Sequence, residues 1–176
     1  MTGIRRFDTA ALAEALDTAR RTRELSWQQL ADAVWEQSSE LNAKRNDHPI
    51  AVGTLRGIGS RPGVSAQHTL FVLRWLGPPP EAFLEDAPAE LSGYELPGAG
   101  PDRRLRWNLT RLADALEEQR RDHGATWAEV AAVLGCTPSQ LTGIKRAKFG
   151  LNMTVAMAIT QWLKQPAAHF VEAARW

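Results

Sequence analysis

The feature that most constrains this chain is an internal repeat. The stretch "LSWQQLADAV" at residues 25–34 returns as "ATWAEVAAVL" at residues 125–134, one hundred positions later. A second stretch, "RWLGPPPEAF" at residues 74–83, returns as "QWLKQPAAHF" at residues 161–170. Self-similarity of this kind is the signature of a structure built from like units. We therefore expect two copies of one small fold within the 176 residues.

The spacing between matching stretches shows where the two copies differ in length. "LRGI" at residues 55–58 pairs with "LTGI" at residues 141–144, so the offset has fallen from 100 to 86. Copy one therefore carries about 14 extra residues, which we place at about residues 35–49.

The domain organisation follows from these matches. We assign copy one to residues 1–84 and copy two to residues 103–176. Residues 85–102 are rich in proline, glycine and acidic residues and show no clear apolar period, which is typical of a linker. Tyr94 and Leu96 leave open that this linker packs on one of the copies.

The net charge of +1 is an average over unlike segments. Residues 1–80 contain ten Lys or Arg and eight Asp or Glu, and residues 101–176 contain eleven and seven. Residues 81–100 contain five acidic residues and no basic residue. Both copies are therefore mildly basic, which is compatible with binding a polyanion.

Composition also excludes several classes of protein. The single cysteine, Cys136, rules out an internal disulfide, and the four histidines lack the spacing of metal ligands. No signal-peptide block and no apolar run of about 18 residues is present, so we expect a soluble cytoplasmic protein without a membrane segment. No nucleophile motif, phosphate loop or paired carboxylates stand out, so we predict no enzymatic activity and no cofactor.

Copy two has the clearer helix boundaries. Thr126 with Glu129 forms a capping box that begins a second helix, and Gly135 ends that helix. Thr137 with Gln140 forms another capping box at once. We expect helices of about nine residues each, joined by a turn of three or four residues, which is the helix-turn-helix pattern. The outer face of the third helix should then project from the domain.

Residues 107–171, containing "TWAEVAAVLGCTPSQLTGIKRAKFGLNMTVAMAITQWLKQPAAHF", resemble the Cro/C1 (XRE-type) helix-turn-helix family of bacterial and phage repressors. The resemblance implies a five-helix domain in which residues 137–146 form the recognition helix. Two positions depart from the family, because Trp127 replaces a usual glutamine and Gly143 replaces a base-reading residue. The implied fold is all-α, with two tandem lambda-repressor-like helix-turn-helix domains joined by a Pro/Gly/acidic linker.

Copy one is more divergent. Ser26 with Gln29 forms the equivalent capping box, but Trp35 stands where copy two has its turn glycine, so the second helix could continue to Leu41. The candidate recognition helix, "AVGTLRGIGS", contains three glycines and lacks a good cap, so it should be short. Gly57 matches Gly143, and this recurrence suggests close backbone approach to DNA or to another helix.

We predict DNA contacts from the exposed face of the 138–146 helix and from the equivalent surface of copy one. Polar side chains there can reach base edges, and basic ones can neutralise phosphates. The predicted contact residues are Thr137, Ser139, Gln140, Thr142, Lys145, Arg146 and Lys148 in copy two, and Lys44, Arg45, Thr54, Arg56 and Arg61 in copy one. The alternative for each surface is an ordinary solvated helix face.

These observations predict a sequence-specific double-stranded DNA-binding protein, a bacterial, phage or plasmid transcriptional regulator acting at the nucleoid. Two covalently linked readers that differ in sequence favour a non-palindromic site or an imperfect palindrome. A homodimer or a protein partner stays open. The alternative is a protein-interaction module on the same scaffold with weak or lost DNA binding, which the low net charge and Gly143 favour.

Overall fold

The computed structural model describes residues 3–61, 63–147 and 150–175. Over these ranges the chain is mostly helical and contains one small antiparallel sheet of two strands. None of the helices in these ranges combines the length and the apolar character needed to cross a membrane.

Copy one consists of helices connected by short loops, followed by a 3-10 turn. Its elements within the described residues are α1 (Thr9–Thr22), α2 (Trp27–Glu36), α3 (Ser39–Asn42), α4 (Val52–Arg56), α5 (Ala66–Leu76) and the 3-10 turn (Pro80–Phe83).

Copy two has a similar order of helices between two short strands. Its described elements are β1 (Arg104–Trp107), α6 (Leu109–Asp122), α7 (Trp127–Leu134), α8 (Pro138–Thr142), a 3-10 turn (Ile144–Arg146), α9 (Met153–Trp162), a second 3-10 turn (Ala167–Phe170) and β2 (Val171–Ala174). Strand β1 pairs with β2 in the register that runs from Arg104 opposite Ala174 to Trp107 opposite Val171. The chain is mostly helical, as expected, but it is not all-α, because β1 and β2 form a small sheet that the sequence did not predict.

Capping hydrogen bonds confirm the predicted helix starts. The Glu129 carboxylate accepts a hydrogen bond from the Thr126 backbone N–H at 2.7 Å, and the Thr126 side chain accepts from the Glu129 N–H. Thr137 and Gln140 form the same reciprocal box at the start of α8. Gly135 ends α7 with a left-handed φ of 68°, as its position predicts.

The prediction that α2 continues to Leu41 is wrong. Helix α2 ends at Glu36, and the separate helix α3 begins at Ser39. The backbone of Ser38 leaves helical geometry, and its buried Oγ donates a hydrogen bond to the Arg103 carbonyl at 2.7 Å. The extra residues of copy one therefore pack against the start of copy two.

The predicted nine-residue third helix of copy two is also too long. Helix α8 ends at Thr142, and the 3-10 turn follows Gly143. A Cβ at Gly143 would lie 3.0 Å from the Ser139 carbonyl oxygen, and one at Gly57 would lie 3.0 Å from the Gly53 carbonyl oxygen. The recurrent glycine therefore relieves crowding with the preceding turn of its own helix.

The two copies contact each other through equivalent residues. At the N-terminal ends of α5 and α9, the Ala66 N–H donates to the Leu151 carbonyl and the Met153 N–H donates to the Val64 carbonyl, both at 2.8 Å. Positions 64 and 66 match positions 151 and 153 in the repeat. Each copy therefore donates from the same repeat position and accepts at the same repeat position. Such a contact is isologous, which is the pattern of a two-fold axis.

Glutamine side chains join each copy to the N-terminal segment of the other. The Gln161 amide of α9 accepts from the Arg5 backbone N–H and donates to the Arg5 carbonyl, both at 2.9 Å. The Gln67 amide of α5 donates to the Leu105 carbonyl at 2.7 Å. Residues 5 and 105 are equivalent in the repeat, but Gln161 corresponds to Arg74 and Gln67 to Thr154, so different side chains make the contact in the two copies. Buried side chains from both copies form one continuous hydrophobic core.

The segment between the copies packs on the protein surface. The Arg74 guanidinium of α5 donates to the carbonyls of Ala99 at 2.8 Å and Gly100 at 3.0 Å. Leu96 and Ala99 pack against the hydrophobic core. Direct packing between the copies, together with this segment, therefore fixes their arrangement.

Candidate nucleic-acid interface

Helices α7 and α8 are joined by the turn formed by Gly135, Cys136 and Thr137. The inner sides of α8 and the following 3-10 turn bury Leu141 and Ile144, which are 2% and 0% exposed. These two apolar anchors fix the element against the core, and its remaining residues face solvent.

Six of the seven predicted contact residues of copy two are exposed on α8 and the turns on either side of it, and we call this set the α8 surface. It comprises Thr137, Ser139, Gln140, Thr142, Lys145 and Arg146, all of which are exposed. Lys148, the last predicted contact of this copy, lies outside the described residues. The α8 surface combines hydroxyl, amide and cationic groups, the types that contact base edges and phosphates.

Gln140 has a structural role as well as an exposed side chain. Its Oε1 accepts the Thr137 backbone N–H at 2.8 Å, and its own backbone N–H donates to Thr137 Oγ1 at 3.2 Å. The capping box uses the carbonyl oxygen of the side chain. The amide NH2 group is a separate donor that suits an acceptor on a base edge.

Lys145 makes an ion pair within copy two. Its Nζ lies 2.6 Å from Asp114 Oδ1 of α6, and both side chains are more than half exposed. Ion pairs of this kind contribute about 0–1 kcal/mol to stability, because water screens both charges. Lys145 can therefore exchange Asp114 for another anion at little cost.

Trp127, at the position where the resembled family has glutamine, packs beneath an arginine. The Arg120 guanidinium lies 4.9 Å from the ring centroid of Trp127, forms an ion pair with Glu117 and donates to the Ala125 carbonyl at 2.7 Å. The hydrogen bond from Arg120 lowers the pKa of Glu117 to about 2.

Copy one repeats this arrangement. The Arg20 guanidinium lies 4.7 Å from the ring centroid of Trp27, and it contacts Asp17 and the Leu25 carbonyl. Each arginine lies in the last turn of the first helix of its copy, where its charge suits the helix dipole, and it joins that helix to the loop that follows.

Helix α4, the counterpart of α8 in copy one, confirms the prediction of a short, poorly capped element. It has five residues, and its N-cap residue makes no side-chain capping hydrogen bond. Thr54 is half-buried on this helix, whereas Arg56 is exposed with its guanidinium 5.9 Å from the Trp27 ring centroid. Arg61 is exposed beside Gly57.

The other predicted contacts of copy one lie in the loop after α3. Lys44 is exposed, and Arg45 forms an ion pair with Asp47 at 2.6 Å. The predicted contacts of copy one therefore lie on three segments, α4, the turn after α4 and the loop after α3.

Arg104 and Arg106 in β1 were not predicted as candidate site residues from the sequence. Arg104 is 4% exposed and donates to Asp47 Oδ2 and Asn42 Oδ1, both at 2.6 Å. Arg106 is half-buried on the same strand. The alternation in "RRLRW" at residues 103–107 is the available signal, since Arg104 and Arg106 alternate with apolar residues. Hydrogen bonds from Arg45 and Arg104 lower the pKa of Asp47 to about 2.

Comparison of the chain with protein-family models, curated proteins and solved structures finds no match. A function is therefore inferred from the residues of the chain and from their geometry.

Proposed function

We propose that this chain is a sequence-specific double-stranded DNA-binding protein that regulates transcription in a bacterium, phage or plasmid. In this proposal it consists of two covalently linked, lambda-repressor-like domains of the Cro/C1 (XRE) type, and α8 is the recognition helix of copy two. The observation that carries the proposal is the α8 surface, which is polar, basic and exposed directly after a capped turn.

The two-fold contact between the copies supports the same function. Helices α4 and α8 are equivalent elements in copies joined by an isologous contact. Helix-turn-helix dimers use a two-fold axis to present two recognition helices to half-sites about 34 Å apart. Because α4 and α8 differ in sequence, we expect the bound site to be non-palindromic or an imperfect palindrome.

In the proposed mechanism, Ser139, Gln140 and Thr142 contact base edges, and Lys145 and Arg146 contact phosphates. Lys145 exchanges its surface partner Asp114 for a phosphate oxygen. Binding at the nucleoid then blocks or recruits other proteins on the DNA, without a catalytic step or a cofactor.

The proposal is tested by selecting bound duplexes from a random pool and measuring the affinity of the selected duplex at rising salt. The affinity should fall steeply, because each neutralised phosphate contributes about −0.9 to the slope of log K against log salt. Lys145→Gln should weaken binding and reduce that slope by about 1. Lys164→Gln, an exposed lysine beyond the C-terminal end of α9, is the matched control and should leave both unchanged.

Base reading is tested at Gln140. Gln140→Ala should reduce the preference for the selected duplex over random duplex by about 1–3 kcal/mol. Gln140→Glu retains the acceptor of the capping box and removes the amide donor, so it should lose the same preference with the helix intact. Parent-like preference in both variants would show that α8 is not the recognition helix.

A second candidate function is protein interaction on the same scaffold. Two observations favour it: the net charge is only +1, and Arg45 and Arg56 of copy one already contact Asp47 and Trp27. Under this function the chain would retain no duplex from the random pool even at low salt. The α8 surface would then be the docking site for a protein partner.

A further inference from the structure

A cleft of about 530 Å³ lies between the extra residues of copy one and the first strand of copy two. Its walls include Asp47 from the loop after α3, Phe71 from α5, and Arg104 and Arg106 from β1. This volume is within the range of about 300–1,000 Å³ that small-molecule sites occupy.

The cleft carries an excess of positive charge. Arg45, Arg104 and Arg106 line it, and Asp47 is the single carboxylate among its lining residues. One oxygen of Asp47 receives both Arg45 Nε and Arg104 Nη1, each at 2.6 Å. Burial, and then the charge of Arg104, lowers the pKa of Arg106 to about 10. An anion in the cleft would offset this crowding of like charges.

Arg104 also has a donor that none of the described residues satisfies. The residue is 4% exposed, and its Nη groups donate to Asp47 and Asn42, while its buried Nε–H has no hydrogen-bond partner within residues 3–61, 63–147 and 150–175. A buried donor without an acceptor is costly, so such groups often mark a binding site. Arg104 is therefore a buried cation in the wall of the cleft, and its charge favours an anion there.

Aromatic rings stand beside the guanidinium groups. Arg104 lies 4.6 Å from the ring centroid of Trp35, and Arg106 lies 5.8 Å from that of Phe71. Trp107 lines the cleft and is fixed by a hydrogen bond from its Nε1 to the Ala66 carbonyl at 3.0 Å. Flat apolar walls combined with fixed cations suit a planar ring that carries an anionic group.

We propose that this cleft binds a small planar molecule bearing a carboxylate or a phosphate. The half-buried rings of Trp35 and Phe71 contact the planar part, and Arg106 contacts the anionic group, with the charge of Arg104 behind it. The residues of the α8 surface do not line the cleft, so the proposal goes beyond DNA binding and does not depend on it.

The test is isothermal titration of the full chain in the absence of DNA. The probes are indole-3-acetate for aromatic carboxylates and adenosine 5′-monophosphate for nucleotides, with indole-3-acetamide and adenosine as their neutral counterparts. One of the anions should bind one to one and at least about tenfold more tightly than its neutral counterpart, which is the value of one charge-assisted hydrogen bond. Which anion binds distinguishes the two sources of the same chemistry.

Arg106→Met should weaken the bound anion at least about tenfold. Arg6→Met, at an exposed arginine outside both the cleft and the α8 surface, is the control and should bind as the parent does. Thr54→Phe should fill the cleft from the α4 side and abolish anion binding, and it serves as the test if Arg106→Met fails to fold. The proposal is overturned if neither anion binds at about millimolar concentration, if the neutral counterparts bind equally well, or if Thr54→Phe leaves binding unchanged.

Discussion

At the scale of single residues, Glu81 is an ionisable group buried between the copies. It is 4% exposed, its Oε1 accepts the Ala167 backbone N–H at 2.7 Å, and its Oε2 has no hydrogen-bond partner in the part of the chain that the structure describes. Burial raises the pKa of this carboxyl above its ordinary value of 4.5. The folded protein therefore holds the proton more tightly than the unfolded chain does.

This raised pKa predicts a pH-dependent effect of Glu81→Gln. Above about pH 4.5 the unfolded chain ionises first, so Glu81 should lower the free energy of unfolding as the pH rises toward its folded-state pKa. The glutamine variant lacks this loss, so its stability relative to the parent should increase with pH. Urea unfolding at several pH values between about 4 and 7 measures the difference. A difference between Glu81→Gln and the parent that does not change with pH would contradict the prediction.

Two glycines of copy one should respond to alanine in opposite directions. A Cβ at Gly59 would lie 2.7 Å from the Ala13 Cβ of α1, whereas none of the described residues lies within 4 Å of a Cβ at Gly53 in α4. Gly59→Ala should lower the free energy of unfolding by about 1–3 kcal/mol through overpacking. Gly53→Ala should raise it by about 0.5–1 kcal/mol, because alanine favours the helix. Equal signs in urea unfolding would be incompatible with this account.

At the scale of elements, local signals in the sequence were sufficient for the helix starts that have a capping box, those of α2, α7 and α8. Capping boxes such as Thr137 with Gln140, and Gly135 with its left-handed backbone, depend on neighbouring residues, so the sequence encodes them within one turn. The same signals predict an exposed face on α8. They overestimate its length, because the change to a 3-10 turn after Gly143 has no side-chain signal in the sequence.

Elements that depend on distant residues could not be predicted. Helix α2 ends where Ser38 bonds to Arg103, which is 65 positions away. Strand β1 forms because β2 lies beside it, and the cationic cleft forms because the loop after α3 covers β1. None of these contacts between distant residues leaves a local pattern in the sequence. The sequence therefore predicted the candidate DNA-contact residues of α8 but not the cleft.

The amide of Gln67 substitutes for a neighbouring strand beside β1. Its Nε2 donates to the Leu105 carbonyl at 2.7 Å, and its Oε1 lies 3.4 Å from the Trp107 N–H. Gln67→Ala should leave the buried Leu105 carbonyl unpaired and lower the free energy of unfolding by about 1–3 kcal/mol. The control is Gln28→Ala, an exposed glutamine of α2, whose effect should lie within about 0.5 kcal/mol. Similar losses for the two variants in urea unfolding would exclude this role for Gln67.

At the scale of the whole molecule, the shared core makes the copies one cooperative unit. Leu16 of α1 and Leu116 of α6 are equivalent positions, and both are 0% exposed. Leu16→Ala and Leu116→Ala should each lower the free energy of unfolding by about 2–5 kcal/mol and shift one transition of the entire chain. Far-UV circular dichroism and tryptophan fluorescence should report that transition at the same urea concentration. Two separate transitions, each shifted by one variant alone, would show that the copies unfold independently.

The isologous contact at Ala66 and Met153 joins two stretches that are encoded separately. In a symmetric homodimer every codon change appears twice, and its energetic effect is doubled. Here each change appears once, so Gly59 packs against α1 on one side of the axis while Lys145, its counterpart, pairs with Asp114 on the other. A single mutation can therefore change one copy and leave the other unchanged, which is impossible in a pair of identical subunits.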